Sequence, residues 1–170
     1  IKVFHTPQGE HLNSFDWAYE SPELSIPLQG VHLLAVSPDN TKIAVATIYV
    51  RNSVQIIDAI NGKNLALLPH DGRVRKIIFA PDGKHIATFT QNGKANIFDS
   101  QNYAQTAFFL SPTGEKTDIG FSPDGKLFFM IDADYKYYVR HVYLEDLIDI
   151  ACRSIARNPS EREWQNYLNS

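Results

Sequence analysis

Side chains that could do chemistry are few in this sequence, and their spacing fits no catalytic or metal-binding pattern. No two histidines have a His-x-x-x-His spacing and there is one cysteine, so a zinc site is not expected. The sequence also lacks a Gly-x-Ser-x-Gly nucleophile motif, a phosphate-binding Gly-Lys-Ser/Thr loop and a dinucleotide-binding glycine pattern. We therefore expect no catalytic residue, no metal and no cofactor. The histidines are His5, His11, His32, His70, His85 and His141.

The remaining candidates for reactive groups are a carboxylate pair and the lone thiol. Asp132 and Asp134 stand close together in "DADY", but further oxygen ligands of the kind that Ca²⁺ requires are missing nearby. We interpret this pair as part of a hairpin turn. Cys152 has no histidine with an orienting partner beside it, which favours a small core residue over a nucleophile.

Composition and charge exclude several classes of protein. A net charge of −3 without a basic stripe argues against a nucleic-acid partner, and the short cluster around Arg73, Arg75 and Lys76 is interpreted as the solvent face of a strand. One cysteine permits no internal disulfide. No apolar run approaches the ~20 residues of a membrane span, and the first residues lack a signal-peptide core. A cytoplasmic protein is the default expectation, and the opening without Met suggests a piece of a longer chain.

A short Pro-Asp turn recurs at nearly equal intervals and points to the elements of the fold. The three copies are "VSPDNTK" at 36–42, "FAPDGK" at 79–84 and "FSPDGK" at 121–126. Their prolines are 43 and 42 residues apart. A second landmark, the strand-like ending at Asp58, Asp99 and Arg140, recurs every 41 residues. Two independent landmarks with one period indicate a structural repeat.

Each repeat contains a series of short strands. An apolar strand ends at the turn, where Pro fixes φ, Asp bonds the downstream backbone and Gly supplies a positive φ; Asn40 replaces that Gly in the first copy. Second and third strands follow, and the first two repeats add a fourth. Such units of ~42 residues favour a β-propeller over a helical solenoid. A β-sandwich is the structural alternative, although it does not require one turn to recur at a fixed step.

These residues resemble the bacterial WD-repeat propellers. In that family an inner strand ends in Phe-Ser-Pro-Asp-Gly and a third strand ends in Trp-Asp, so Asp58 and Asp99 match the closing Asp. Ile57 and Phe98 stand where Trp is expected, and "HDG" at 70–72 replaces Gly-His. The buried His-Ser-Asp-Trp hydrogen-bond set of that family is therefore not expected to form. The resemblance implies an all-β fold, a partial β-propeller of about three four-stranded blades with strands of a preceding blade.

The resemblance also divides the chain into parts. We expect the end of a preceding blade at 1–15, an inserted loop at 16–30, blades at 31–69, 70–110 and 111–142, and a C-terminal tail at 143–170. The inserted loop carries Trp17 and Tyr19. Because loops on a rigid scaffold often carry binding residues, these two side chains are candidates for contact with a partner. The alternative is that they only pin the loop to the next blade.

The tail changes from strand to helix periodicity. Apolar residues recur at helical spacing over 144–157, and Pro159 separates this helix from a second one that carries Trp164 and Tyr167. A two-helix tail is therefore expected, with Trp164 and Tyr167 as further candidates for partner binding. It resembles the tail that closes WD-repeat regions in bacterial signal-transduction NTPases and caspase-like proteins. That resemblance implies that effector domains lie upstream in the parent protein.

Two classes of function remain open. The first is a non-enzymatic protein-interaction or ligand-sensing module in a multidomain signalling or defence protein. The alternative is a propeller enzyme, a hydrolase or lactonase, in which His32, His85 and Asp118 would contribute to a channel site completed by other blades. Closed propellers use about four to eight blades. We expect the missing blades to come from the parent protein, from another chain or from self-association through the end blades.

Overall fold

The chain is predominantly antiparallel β-structure, which confirms the all-β expectation at the level of fold class. The computed structural model describes residues 2–5, 10–14, 31–47, 52–111, 118–132 and 134–154. The strands are β1 Lys2–His5, β2 Glu10–Ser14, β3 Val31–Val36, β4 Lys42–Thr47, β5 Ser53–Asp58, β6 Asn64–Pro69, β7 Val74–Phe79, β8 His85–Thr90, β9 Lys94–Asp99, β10 Gln105–Leu110, β11 Asp118–Phe121, β12 Leu127–Ile131 and β13 Tyr137–His141, and the helix is α1 Leu144–Ser154.

Strands that follow one another in sequence are neighbours in space. Sheet 1 has the order β3-β4-β5-β6, and sheet 2 is built in the same way from β7, β8, β9 and β10. Sheet 3 contains β11, β12 and β13, and β1 pairs with β2 in a separate two-stranded sheet. All pairs are antiparallel, so short hairpins connect the strands.

The Pro-Asp turns join the first two strands of sheets 1, 2 and 3, as the sequence predicts. Asn40, Gly83 and Gly125 occupy equivalent positions with φ of 58°, 73° and 73°. This left-handed conformation favours Gly and tolerates Asn, which explains why one of these two residue types stands there each time.

Two hydrophobic clusters hold the three large sheets together. The first joins sheet 1 to sheet 2 and includes Ile56, Leu68, Ile86 and Phe98 among its buried residues. The second joins the opposite side of sheet 2 to sheet 3 and includes Ala87, Phe89, Ile97, Phe128 and Met130. Successive residues of β8 belong to different clusters, because successive side chains of a strand point to opposite faces of the sheet. Sheet 2 is therefore packed on both faces.

The same turn geometry leads from the third strand to the fourth in sheets 1 and 2. The carboxylate of Asp58 accepts the backbone N–H groups of Ile60 and Asn61 at 2.8 and 3.1 Å. Asp99 does the same for Gln101 and Asn102 at 2.8 and 2.9 Å. These side-chain bonds stabilise a tight turn, which brings the chain back as β6 or β10.

Sheet 3 differs at the corresponding point, because the chain continues into α1. The helix spans Leu144–Ser154, within the sequence-based range of 144–157, and the last three residues of that range lie outside the described residues. The expected second helix, with Trp164 and Tyr167, lies outside the described residues. Cys152 is exposed, so the expectation that it is a core residue is wrong. Leu147 and Ile148 are also about half exposed, which shows that much of the apolar helix face is uncovered.

Candidate functional site

The residues predicted to bind a partner cannot be placed. Trp17, Tyr19, Trp164 and Tyr167 all lie outside the described residues. Their role therefore stays a prediction from the sequence. The described part of the chain contains three groups of polar side chains that link different strands or turns.

The first group links the first strands of successive sheets. Nε2 of His32 in β3 donates to the carbonyl oxygen of Val74 in β7 at 3.2 Å. Nζ of Lys76 in β7 donates to the Asp118 carboxylate in β11 and to the Ile119 carbonyl oxygen, the latter at 2.9 Å. The hydrogen bond and ion pair to Lys76 lower the pKa of Asp118, although desolvation opposes this. Both links join residues 42 positions apart in the sequence.

The structure does not bring His85 to this group. Phe79 pairs with Ile86, so His85 lies beyond the end of β7, whereas Lys76 is three residues further back. At ~3.3 Å per residue, His85 and the Lys76–Asp118 pair are about 10 Å or more apart. Of the three residues in the alternative enzyme prediction, His32 and Asp118 are each bound to a neighbouring strand, and His85 lies at the other end of the sheet.

The second group surrounds His70, between sheets 1 and 2. Nδ1 of His70 donates to the Leu68 carbonyl oxygen at 2.9 Å, and its Nε2 accepts the Thr88 hydroxyl at 2.7 Å. The ring meets Phe98 edge to face at a centroid distance of 5.6 Å. Burial lowers the pKa of His70, which favours this neutral form. A histidine, a threonine hydroxyl and the Phe98 ring therefore meet between sheets 1 and 2, an arrangement that the sequence did not predict.

The third group, which we call the Tyr143 cluster, consists of Asp82, Lys84, His85 and Tyr143. The Tyr143 hydroxyl donates to the Asp82 carboxylate, and burial together with this carboxylate raises the pKa of Tyr143. The Tyr143 ring meets the His85 ring edge to face at 5.1 Å, and the Lys84 ammonium lies 5.6 Å from its centroid. The first residues after β13 are thereby fixed to the Pro-Asp turn of sheet 2.

A close approach between two turns supports the Tyr143 cluster. A Cβ atom built on Gly125 would lie 2.6 Å from Cγ of Asp82, closer than any real Cβ contact. Gly125 belongs to the Pro-Asp turn of sheet 3, so the turns of sheets 2 and 3 touch directly. Sequence reasoning missed the cluster because Asp82 and Tyr143 are 61 residues apart.

Asp132 serves the hairpin role that the sequence suggested. Its carboxylate accepts the backbone N–H of Asp134 at 3.0 Å, that of Lys136 at 2.9 Å and the Tyr138 hydroxyl at 3.0 Å. The Asp134 side chain is not part of this set, so the two carboxylates do not converge. In the described ranges, no group of three or more His, Cys, Asp or Glu side chains could hold a metal ion.

Exposed apolar residues mark the far side of sheet 3. Gly120, Phe129 and Val139 are aligned across the three strands, and Ile131 is aligned with Tyr137 on the same face. Ile131, Tyr137 and Val139 are 47%, 75% and 37% exposed. We call this surface the outer face of sheet 3. It is opposite the face that packs on sheet 2, so it is the end surface of the described stack of sheets.

In the described part of the chain, no helix is long and apolar enough to cross a membrane.

Comparisons with known proteins give no assignment. A scan against models of protein families finds no match, and no curated protein is similar to this chain at a significant level.

Proposed function

We propose that this chain is a non-enzymatic protein-interaction or ligand-sensing module. Its sheets would be blades of a WD-repeat β-propeller that belongs to a larger multidomain signalling or defence protein of bacterial type. A cytoplasmic location is part of this proposal, because a single free cysteine suits a reducing compartment.

The observation that carries the proposal is the repeated contact between first strands. His32 reaches Val74 and Lys76 reaches Asp118, and each link spans 42 residues of sequence. Sheet 2 also buries both of its faces. A two-sheet sandwich leaves one face of each sheet toward solvent, whereas blades of a propeller pack on a neighbour on both sides.

The exposure of the fourth strands supports a radial arrangement. On the side of sheet 2 that faces sheet 1, Ile86 and Phe98 are buried, but Phe108 and Leu110 in β10 are 55% and 63% exposed. Sheet 1 therefore covers the first three strands of sheet 2 and leaves β10 uncovered, although Leu68 in its own fourth strand is buried in the shared cluster. Such an offset between neighbouring sheets is compatible with blades arranged around an axis. Parallel layers would cover all four strands equally.

The structural contacts of His32, His85 and Asp118 support a role without catalysis. His32 and Asp118 are each bound to the adjacent sheet, and His85 packs on Tyr143. A catalytic pair would need a nucleophile or base within about 3 Å of a group that activates or orients it. No observation favours the hydrolase or lactonase alternative over this proposal.

The partner surface is proposed to lie on the loops, with Trp17 and Tyr19 as the first candidates. The test is photo-crosslinking in cells, with p-benzoyl-phenylalanine replacing Trp17 or Tyr19 in turn. Position 101 is the control, since Gln101 is exposed in the turn between β9 and β10, away from the outer face of sheet 3. We expect a discrete cross-linked partner from positions 17 and 19 and none from position 101.

The second pair of candidates is tested in the same way at Trp164 and Tyr167. Equal cross-linking at all five positions, or none at any of them, would remove these residues from an interface. Turnover of a hydrolase or lactonase substrate by the purified chain alone would contradict the non-enzymatic proposal itself.

A further inference from the structure

The helix α1 lies beside β13, and its described side-chain contacts with the sheets are weak. Leu147 and Ile150 are 47% and 43% exposed. Nζ of Lys126 lies 3.9 Å from the Asp146 carboxylate, in a partly exposed ion pair. A pair of this length and exposure adds little to stability. Among the described contacts, this leaves Tyr143, the residue directly before the helix, as the strongest connection of α1 to the sheets.

Tyr143 connects the start of α1 to the Pro-Asp turn of sheet 2. Its hydroxyl donates to the Asp82 carboxylate, and its ring meets the His85 ring edge to face. The Lys84 ammonium lies over the same ring. A hydrogen bond to a carboxylate is stronger than one between neutral groups. One side chain thus makes several contacts with a sheet that is not the one from which α1 continues.

The residue before Tyr143 belongs to the fixed part of sheet 3. The N–H of Val142 donates to the Lys126 carbonyl oxygen at 2.9 Å, and its side chain packs against the cluster between sheets 2 and 3. Neither contact involves the Tyr143 hydroxyl. The chain between Val142 and Leu144 is therefore the place where α1 could move while sheet 3 keeps its packing.

A departure from the repeat leaves the Asp82 carboxylate open for Tyr143. In sheets 1 and 3 the serine before the Pro-Asp pair donates its hydroxyl to the aspartate. These pairs are Ser37–Asp39 and Ser122–Asp124. Ala80 stands at that place in sheet 2 and has no hydroxyl. The hydroxyl donor to Asp82 comes instead from Tyr143, 61 residues further along the chain.

Asp82 is held in a defined position as an acceptor. One of its carboxylate oxygens accepts the Lys84 N–H at 3.0 Å, and the other accepts the Tyr143 hydroxyl. Its carboxyl group also lies against Gly125 of the neighbouring turn, where a Cβ would come within 2.6 Å of Cγ. These restraints do not involve α1, so the acceptor would stay in place if the helix left it. A preorganised acceptor of this kind lowers the cost of rebinding.

We propose that Tyr143 is a releasable anchor of α1, so that the chain has a docked and a released form that differ at this helix. In the docked form the Tyr143 hydroxyl is bound to Asp82. In the released form this bond is broken and α1 leaves the sheets, while sheets 1, 2 and 3 remain folded. A regulatory group would need to act on one hydrogen bond, either by occupying the Asp82 carboxylate or by modifying the Tyr143 hydroxyl. This inference does not depend on the function proposed above.

The length of α1 makes its release measurable. The described helix has 11 residues, and isolated helices shorter than about 12–15 residues are marginal in water. The helical hydrogen bonds of α1 would therefore be lost when it leaves the sheets. The exchange rate of its backbone amides then reports the population of the released form, even when that population is small.

The test compares two tyrosine variants of the full chain by amide exchange. Tyr143→Phe removes the hydroxyl and keeps the ring beside His85. Tyr138→Phe is the matched control, because it removes a tyrosine hydroxyl that donates to a carboxylate within sheet 3, that of Asp132, at 3.0 Å. We expect the α1 amides to exchange about ten times faster in Tyr143→Phe, since one charge-assisted hydrogen bond is lost. The amides of β8 and β9 should be unchanged, and Tyr138→Phe should leave α1 unchanged.

A second variant changes the acceptor side and leaves α1 and Tyr143 intact. Ala80→Ser places a hydroxyl where Ser37 and Ser122 stand in the other sheets, so it should compete with Tyr143 for Asp82. We expect faster exchange of the α1 amides here as well, by a smaller factor than in Tyr143→Phe. This variant decides the question if Tyr143→Phe does not fold.

Three results would overturn the inference. The first is unchanged exchange of α1 in Tyr143→Phe, or in Ala80→Ser if the other variant does not fold. The second is equal acceleration of α1 and of β8 and β9, or equal acceleration of α1 in Tyr138→Phe, because Tyr143 would then be part of the general packing. The third is free exchange of α1 in the chain without substitutions, because the helix would then not be docked.

Discussion

At the scale of single residues, the Pro-Asp turn shows how one position can carry different constraints in successive copies. Gly83 and Gly125 both have φ of 73°, so both need the left-handed conformation. A Cβ on Gly83 would meet nothing within 4 Å, whereas one on Gly125 would collide with Asp82. The sequence predicts the shared backbone requirement, but the contact with Asp82 depends on a neighbouring sheet.

These two glycines form a matched pair for mutation. Gly83→Ala should cost about 1–2 kcal/mol, because only the left-handed backbone is penalised. Gly125→Ala should cost a further ~1–3 kcal/mol from overpacking against Asp82. Urea unfolding of both variants gives the two free energies. Equal losses would contradict the close approach of the turns of sheets 2 and 3.

His70 makes stability depend on pH in a defined direction. Burial lowers the pKa of His70 in the folded chain below the ordinary value of about 6.5 that applies to the unfolded chain. Its contribution is therefore complete above about pH 6.5 and is lost as the pH falls through the folded pKa. We expect lower stability at pH 5 than at pH 7, and a smaller difference in His70→Gln. Burial also lowers the pKa of His85, so some dependence should remain in the variant.

At the scale of elements, a serine and an aspartate brace two of the three Pro-Asp turns. Oγ of Ser122 donates to Asp124 at 2.5 Å and accepts the Leu127 N–H at 2.9 Å. Ser37 has the same two types of bond in sheet 1. Sheet 2 has Ala80 at this place, and its aspartate bonds Tyr143 instead. One turn thus exchanges its local brace for a long-range contact to the tail.

The local brace can be tested by exchanging the two residue types. Ser122→Ala removes a donor and an acceptor and should cost about 1–2 kcal/mol. Ala80→Ser should give no comparable gain, because Asp82 is already engaged by Tyr143. The urea midpoints of the variants report both changes, provided that the slope of unfolding free energy against urea concentration stays the same. A stabilising Ala80→Ser would show that the Tyr143 cluster does not compete for Asp82.

The elements that the sequence predicts well are those fixed by local chemistry. The Pro-Asp turns follow from residue types at fixed offsets, so their recurrence indicates the hairpins correctly. The tail is predicted less well, since the exposure of Cys152 depends on how α1 sits beside β13 rather than on helical periodicity. The His70 surroundings were also missed, because its partner Thr88 comes from another strand 18 residues away.

At the scale of the whole molecule, the described sheets form an open series with an uncovered end. The outer face of sheet 3 exposes Ile131 and Val139, and no further sheet of this chain is described beyond it. Exposed apolar surface of this kind favours contact with another polypeptide. The polypeptide that covers this end would come from the rest of the parent protein, from a second copy of the chain or from another protein.

Of these three ways to cover the outer face of sheet 3, self-association is the one that can be measured with the isolated chain. We expect sedimentation velocity to give a concentration-dependent increase in mass, and Ile131→Lys to reduce it by placing a charge on the outer face. Gln91→Lys is the matched control, since Gln91 is exposed in a hairpin of sheet 2. A folded monomer at all concentrations would contradict self-association and leave completion to the parent protein or another chain.

The position of sheet 2 between its neighbours has a consequence for the order in which the molecule opens. Both clusters that join neighbouring sheets contain its residues, so losing sheet 1 or sheet 3 leaves it half packed, whereas losing sheet 2 uncovers one face of each of the other two. Fraying should therefore start at the outer sheets and reach β8 last. When force or denaturant unfolds the chain from its ends, sheet 2 in the middle of the sequence would therefore be the last part to unfold. Its loss would be the step after which no packed sheet remains.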